Sequence, residues 1–220
     1  ALNKKLIACP FTKTLDKDTY FTYLRAVQKS IDLFRIENIS IQAELSVLQQ
    51  QYGAIAGKMT ITHEGQEYTL QQAAQFLESE DRAIRESVYR KIQERRLEDK
   101  KAMHDLFSSL IEKRNQVAIN AGFANYRDYK FVELGRFDYT KEDCFQFHEA
   151  VKLHVLPLID KIYARKKQKL GLDTLKPWDT EAEPAGTKPL RPFTDGKDLY
   201  EKSVACFEQL NPFFADCLRK

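Results

Sequence analysis

The stretch that decides the fold is NAGFANYRDYKFVELGRFDYTKED, residues 120–143. It contains three tyrosines, three phenylalanines, two arginines and three aspartates, with two glycines and no proline. Aromatic residues are too dense here for a solvated loop, and charges are too dense for an ordinary core helix. The stretch therefore predicts a specific, packed surface.

Four residues of this stretch are candidates for binding a substrate: Arg127, Asp128, Arg136 and Tyr139. A guanidinium, a carboxylate and a phenol that lie close together can form a buried, fully hydrogen-bonded network. The same groups can line a groove that holds a peptide backbone. The residues alone leave both interpretations open.

The composition indicates a globular chain with a balanced charge. The 220 residues are enough for one large domain or two small ones. Of these residues, 43% are hydrophobic and 30% are charged, a composition typical of a globular chain. Basic and acidic residues number 35 and 32, so the net charge of +3 predicts neither a nucleic acid nor a membrane as partner. No run approaches the ~18 apolar residues of a membrane span. The four cysteines are widely spaced without a CxxC pair, which predicts reduced thiols and a cytoplasmic location.

Periodicity predicts a mainly α fold, a helical bundle-like scaffold with one small β-hairpin near residues 58–70. The hairpin follows from the alternation around Met59 and Ile61 and from a glycine turn at 63–66. We expect Gly53 and Gly57 to end a helix and Pro157 to kink another. Apolar residues three and four apart predict helices over residues 16–35, 37–52, 70–78, 80–119 (one helix or two), 140–170 and 197–210.

The helical region 80–119 carries opposite charges four residues apart, which is typical of a solvated helix face. The charge pairs are Asp81/Arg85, Arg82/Glu86, Glu86/Arg90 and Arg95/Asp99.

Further along the chain, residues 172–196 are predicted to form an irregular, proline-rich connection. Trp178 and Phe193 predict that this connection packs onto the body.

No complete catalytic or metal motif occurs in the sequence. Both His-Glu pairs, at His63 and His148, lack the second histidine four residues on that a helical zinc site needs. His148 lies on an apolar stripe, where a hydrogen-bonded core histidine is expected. Neither a GxSxG elbow nor a phosphate-binding GK[ST] loop is present. We therefore predict no catalytic residue and no metal ligand within this chain.

Several pieces, taken in order from about residue 30 to the end, resemble the oligoendopeptidase F branch of the thimet-oligopeptidase-like zinc metallopeptidases. Each piece alone is weak, but the order is specific. The pieces are Glu37-Asn38-Ile39 with the following QAELSVLQQQYG, EGQEYTLQQ, Asp81-Arg82-Ala83-Ile84-Arg85, NAGFANYRDY, GRFDYTKEDCFQFHEAV, Leu175-Lys176-Pro177-Trp178-Asp179 and Lys188-Pro189-Leu190-Arg191-Pro192-Phe193.

The resemblance implies a larger, grooved peptidase that cleaves short peptides and binds one zinc through an HExxH helix and a later glutamate. This chain holds neither element, so the resemblance implies an upstream portion that binds no zinc by itself and is inactive alone. Residues 1–119 would be an N-terminal helical lobe with the hairpin. Residues 120–220 would start the catalytic lobe and continue past Lys220, where a short apolar helix stops. Its partners would be peptide substrates and the missing C-terminal part.

A second hypothesis predicts the same helices but no catalytic activity. In that interpretation the chain is a non-catalytic helical interaction module, and its aromatic stretch binds a peptide or a partner helix.

Overall fold

A computed structural model describes residues 2–184, 187, 190 and 192–220, so Lys188, Pro189 and Arg191 of the last family-like piece lie outside the described residues. The described part is mostly helical with one two-stranded sheet, which confirms the predicted fold class. The helices are α1 (Leu2–Ala8), α2 (Lys17–Leu33), α3 (Asn38–Ala56), α4 (Leu70–Ala73), α5 (Arg82–Glu98), α6 (Lys100–Asn120), α7 (Tyr126–Glu133), α8 (Lys141–Ala150), α9 (Leu156–Lys169), α10 (Gly196–Leu210) and α11 (Pro212–Arg219), with short 3-10 helices at Pro10–Thr14, Ala74–Glu78 and Pro177–Asp179.

Glycine ends α3 later than expected. The prediction that Gly53 contributes to the end was wrong, because the helix continues to Ala56 and the Gly53 carbonyl accepts a 2.8 Å hydrogen bond from the Gly57 N–H. A glycine inside a helix costs only about 1 kcal/mol relative to alanine. Gly57 is the C-cap, as predicted.

The hairpin pairs β1 (Thr60–His63) with β2 (Gln66–Thr69) in antiparallel register. Its turn holds Glu64 and Gly65 with φ of 51° and 78°, the two positive values that a type I′ turn requires. Beneath the hairpin lies a small core built from both strands, the short helices after them and α5. Its buried residues are Ile61, Ala73, Val88 and Ile92.

The main core lies between the long helices α3 and α6. Asn38, at the start of α3, is buried and its amide donates to the Val117 carbonyl at 3.0 Å. The core also takes in Tyr129 of α7, so packing crosses the predicted boundary between residues 119 and 120. Its buried members are Leu45, Leu106, Leu110, Val117, Ala118, Ala121 and Tyr129.

Helices α8 and α9 are joined by a π-helical turn, Val151–Val155, into one continuous helical segment. Thr140 caps α8 as predicted: its hydroxyl accepts from the Asp143 N–H, and the Asp143 carboxylate accepts from the Thr140 N–H. Pro157 sits in the first turn of α9, so the irregularity precedes it as a π-turn. The expected core position of His148 was wrong, because its side chain is exposed.

In the described ranges, no helix combines the length and the apolar composition needed to cross a membrane.

Candidate functional site

Arg127 and Asp128 lie at the start of α7. Asn125 caps this helix by accepting from the Asp128 N–H at 3.0 Å, and its amide donates to the Asp128 carboxylate at 3.0 Å. The Arg127 Nε donates to the other carboxylate oxygen at 2.9 Å. The bonds from Arg127 and then Asn125 lower the pKa of Asp128. Asp128 is therefore a charged, engaged carboxylate that holds the guanidinium of its neighbour.

Arg136 and Tyr139 lie just beyond the other end of α7. Gly135, at φ 69°, turns the chain back, and the Arg136 N–H donates to the Phe131 carbonyl at 3.0 Å. The Arg136 guanidinium then lies 5.4 Å from the centre of the Phe131 ring, and the Tyr139 ring meets Phe131 edge-on at 5.5 Å. Cation–π and edge-to-face contacts thus fix both side chains on one phenylalanine.

Asp138 ties the segment that carries Arg136 and Tyr139 to α2. Its carboxylate accepts two hydrogen bonds from Arg25, at 2.8 and 3.0 Å. The guanidinium of Arg25 also lies 5.0 Å from the Phe21 ring and 4.7 Å from the Phe137 ring. These bonds lower the pKa of Asp138. Periodicity gave no signal for this pairing, because the partners are 113 residues apart.

The four predicted residues form two pairs instead of one cluster. Arg127 contacts Asp128 at one end of α7, and Arg136 and Tyr139 meet on Phe131 at the other. An eight-residue helix rises about 12 Å, so the two pairs are separated by about the length of α7.

The most deeply buried ion pairs in the described structure join residues that the sequence did not predict to meet, Arg82 and Arg85 with Asp179. Asp179 has no exposed surface, and its carboxylate accepts from Arg82 Nε (3.0 Å) and Nη2 (2.8 Å), Arg85 Nη2 (3.0 Å) and the Lys176 N–H (2.9 Å). Burial alone would raise the pKa of Asp179, but the bonds from Arg82, the Lys176 backbone and Arg85 outweigh it and lower the value to about 2.

This network corrects the predicted charge pairing of α5. Arg85 was expected to pair with Asp81 on a solvated face, but it is buried and donates to Asp179 and to the Trp178 carbonyl (3.2 Å). The Asp81 carboxylate instead accepts from the Ala83 N–H as the helix cap. The Arg95/Asp99 pair is present as predicted, as is Glu86/Arg90.

Trp178 confirms that the start of the irregular connection packs on the body, whereas Phe193, the other residue on which that prediction rested, is 45% exposed. The Trp178 ring lies 5.7 Å from the Tyr89 ring and 5.2 Å from the guanidinium of Arg90. Trp178 and Asp179 thus attach the connection to α5 through stacking and ion pairing. The contact between Asp179 and α5 is structural, because both oxygens of the Asp179 carboxylate already accept hydrogen bonds.

The residues present do not fit a zinc ion. Within the described ranges, no three histidine, cysteine, aspartate or glutamate side chains lie close enough to hold a metal. His63 is buried with its ring 4.6 Å from that of Phe76. His148 is exposed beside the Phe145 ring at 6.3 Å.

Solved structures show which class of fold this is. The chain matches a proposed oligoendopeptidase F with a TM-score of 0.92 at 22% identity, over 99% of this chain and 38% of the other. PZ peptidase A with an inhibitor matches with a TM-score of 0.91 at 22% identity, over 99% and 39%. A proposed oligoendopeptidase F from Bacillus anthracis matches with a TM-score of 0.89 at 19% identity, over 99% and 40%. The chain thus has the fold of one part of these proteins, and it spans about two fifths of their length.

The sequence assigns the family. The model of peptidase family M3 matches residues 75–201, more than half of the chain. The chain belongs to peptidase family M3. Among curated proteins, no sequence matches significantly.

Proposed function

We propose that this chain is an upstream portion of a zinc-dependent oligopeptidase that hydrolyses peptide bonds in short peptides. The family M3 match over residues 75–201 carries the proposal. The metal ligands and the general base would lie outside these 220 residues, in agreement with a chain that spans only 38–40% of the matched structures. By itself the chain would be inactive and free of zinc.

Within that enzyme, residues 1–119 would form an N-terminal lobe and residues 120–220 the start of the catalytic lobe. The chain would supply scaffold and one wall of the substrate groove. The remaining polypeptide would be its permanent partner, and short peptides its substrates. A cytoplasmic location belongs to the same proposal and is supported by four cysteines that are all unpaired.

The two pairs around α7 are the proposed substrate contacts. The side chain of Arg127 is half exposed, and its terminal nitrogens extend beyond the Nε that binds Asp128. Tyr139 is 46% exposed and its ring lies in an edge-to-face pair with Phe131, and we propose that its hydroxyl meets a peptide carbonyl. Arg136 is exposed above Phe131. Asp128 orients Arg127 and so acts as a positioning residue.

The test is kinetic and uses the parent polypeptide that contains this chain. The parent polypeptide should cleave fluorogenic short peptides, and a zinc chelator should stop the cleavage until zinc is restored. Substituting Tyr139→Phe or Arg136→Ala should raise KM without lowering the melting temperature, as expected for a lost ground-state contact.

Arg96→Ala is the matched control, because Arg96 is an exposed arginine on α5, away from α7. It should leave KM unchanged. A parent protein that cleaves peptides regardless of chelator, or that contains no further peptidase sequence, would overturn the proposal. Unchanged KM in the Tyr139 and Arg136 variants would remove these residues from the groove.

A further inference from the structure

The continuous segment from α8 to α9 is a helix without a core. None of its residues from 141 to 169 is buried, although it is rich in large apolar side chains. By contrast, α6 buries four residues over a shorter length. The exposed apolar side chains of the segment are Phe145, Phe147, Leu153, Val155, Leu156, Leu158, Ile162 and Tyr163.

These exposed apolar side chains are distributed over opposite faces of the helix. Residues two apart on an α-helix lie about 200° apart, so Phe145 and Phe147 occupy opposite faces of α8, as Leu156 and Leu158 do on α9. All four are at least half exposed. A surface helix has one apolar stripe, whereas apolar side chains on opposite faces need to be covered on more than one side.

Nothing in the described chain covers this helix. The other described helices and strands do not pack extensively along it, and one hydrogen bond near the end of α9, from the Lys166 ammonium to the Thr180 carbonyl, ties it to the following connection. Helices in proteins owe most of their stability to tertiary packing and little to intrinsic propensity. Such a segment therefore needs a partner that the described residues do not supply.

We propose that the α8–α9 segment is an interior helix of the whole enzyme, enclosed by the part of the family M3 polypeptide that lies outside this chain. This inference rests on the proposed function and names the surface by which the two parts join. The matched structures are about two and a half times longer than the chain, so the polypeptide needed to enclose a helix is available.

A second copy of the chain is the less suitable occupant. A contact between two straight helices covers one side of each. Here apolar side chains lie on opposite sides, so a dimer leaves a large apolar patch exposed, which soluble proteins avoid. Enclosure on several sides requires several elements, as a folded domain provides.

Hydrogen exchange of the parent polypeptide and of the 220-residue chain tests the inference directly. Amides of residues 144–163 should exchange roughly 100-fold more slowly in the parent, while the α6 amides of Leu106 and Leu110 serve as an internal reference and change much less. Equal exchange of the segment in both proteins would overturn the inference. Protection in the short chain that rises with its concentration would also overturn it, in favour of a second copy.

A matched pair of substitutions adds a second readout. Leu153 and Leu97 are each 63% exposed, but Leu97 lies on α5, which already buries Arg85, Val88 and Ile92. In the parent, Leu153→Asn should lower the melting temperature by several degrees and Leu97→Asn should not; in the short chain neither should. Equal effects of the two in the parent would contradict the inference. Neither readout depends on zinc or hydrolysis, so failure here is distinguishable from failure of the proposed function.

Discussion

Replacing Asp179 with asparagine removes the negative charge that Arg82 and Arg85 share, while the shape of the side chain is kept. The asparagine amide would also direct N–H groups at one of the arginine donors, because the carboxylate accepts at both oxygens. Arg85, whose side chain is 4% exposed, would keep a buried charge with only carbonyl oxygens as partners.

Two independent arguments set the magnitude. A carboxyl pKa lowered from 3.8 to about 2 corresponds to about 2 kcal/mol of stabilisation by the charged form. Removing one partner of a buried ion pair usually costs about 3–5 kcal/mol. We therefore expect Asp179→Asn to lower the free energy of unfolding by roughly 2–5 kcal/mol, a large share of the ~5–15 kcal/mol available to a domain.

Urea unfolding followed by circular dichroism at neutral pH measures this loss. Glu86→Gln is the control, because it breaks the exposed pair with Arg90 on the same helix and should cost no more than about 0.5 kcal/mol. The pH dependence gives the sign. Since folding lowers the pKa of Asp179, its contribution is complete above pH ~4 and disappears as the pH falls towards 2. The difference between wild type and Asp179→Asn should shrink over that interval. A loss below about 1 kcal/mol, or a difference that does not shrink in acid, would refute the reasoning.

Three further outcomes follow from local geometry. Glu64→Asn should raise the free energy of unfolding by about 0.5–1 kcal/mol, because Glu64 has φ 51° beside Gly65 in the turn and asparagine tolerates that conformation better; a lower urea midpoint would contradict this. Asn38→Leu should cost about 1–3 kcal/mol in the same assay, since its buried amide loses two partners; a neutral result would contradict it. Burial, reinforced by Glu133, raises the pKa of Tyr129 to about 12, so the absorbance titration of wild type minus Tyr129→Phe should show one phenol ionising near that pH, and ionisation near 10 would contradict it.

Local signals in the sequence predicted the elements well. The cap at Thr140, the glycine of the hairpin turn and the spacing of apolar residues depend on neighbours within a few positions, and each was confirmed. The ion pairs that assemble these elements could not be predicted. Arg82 and Asp179 are 97 residues apart, and i,i+4 spacing suggested a nearer partner for the arginine.

The candidate site shows the same limit. Composition marked residues 120–143 as a packed surface, and the structure does place Arg136 and Tyr139 on one ring. The composition did not reveal that Arg25 of α2 anchors this segment through Asp138. His148 shows a different limit: the spacing of apolar residues predicts a helix correctly, but it does not tell which side chains of that helix are buried, and His148 is exposed.

Zinc content, measured by mass spectrometry on the 220-residue chain and on its parent polypeptide after dialysis, tests the central claim most directly. We expect about one zinc per parent molecule and far less than one per short chain, with chelator-sensitive peptide hydrolysis only in the parent. Stoichiometric zinc in the short chain, or a parent that hydrolyses peptides without any bound metal, would contradict the account.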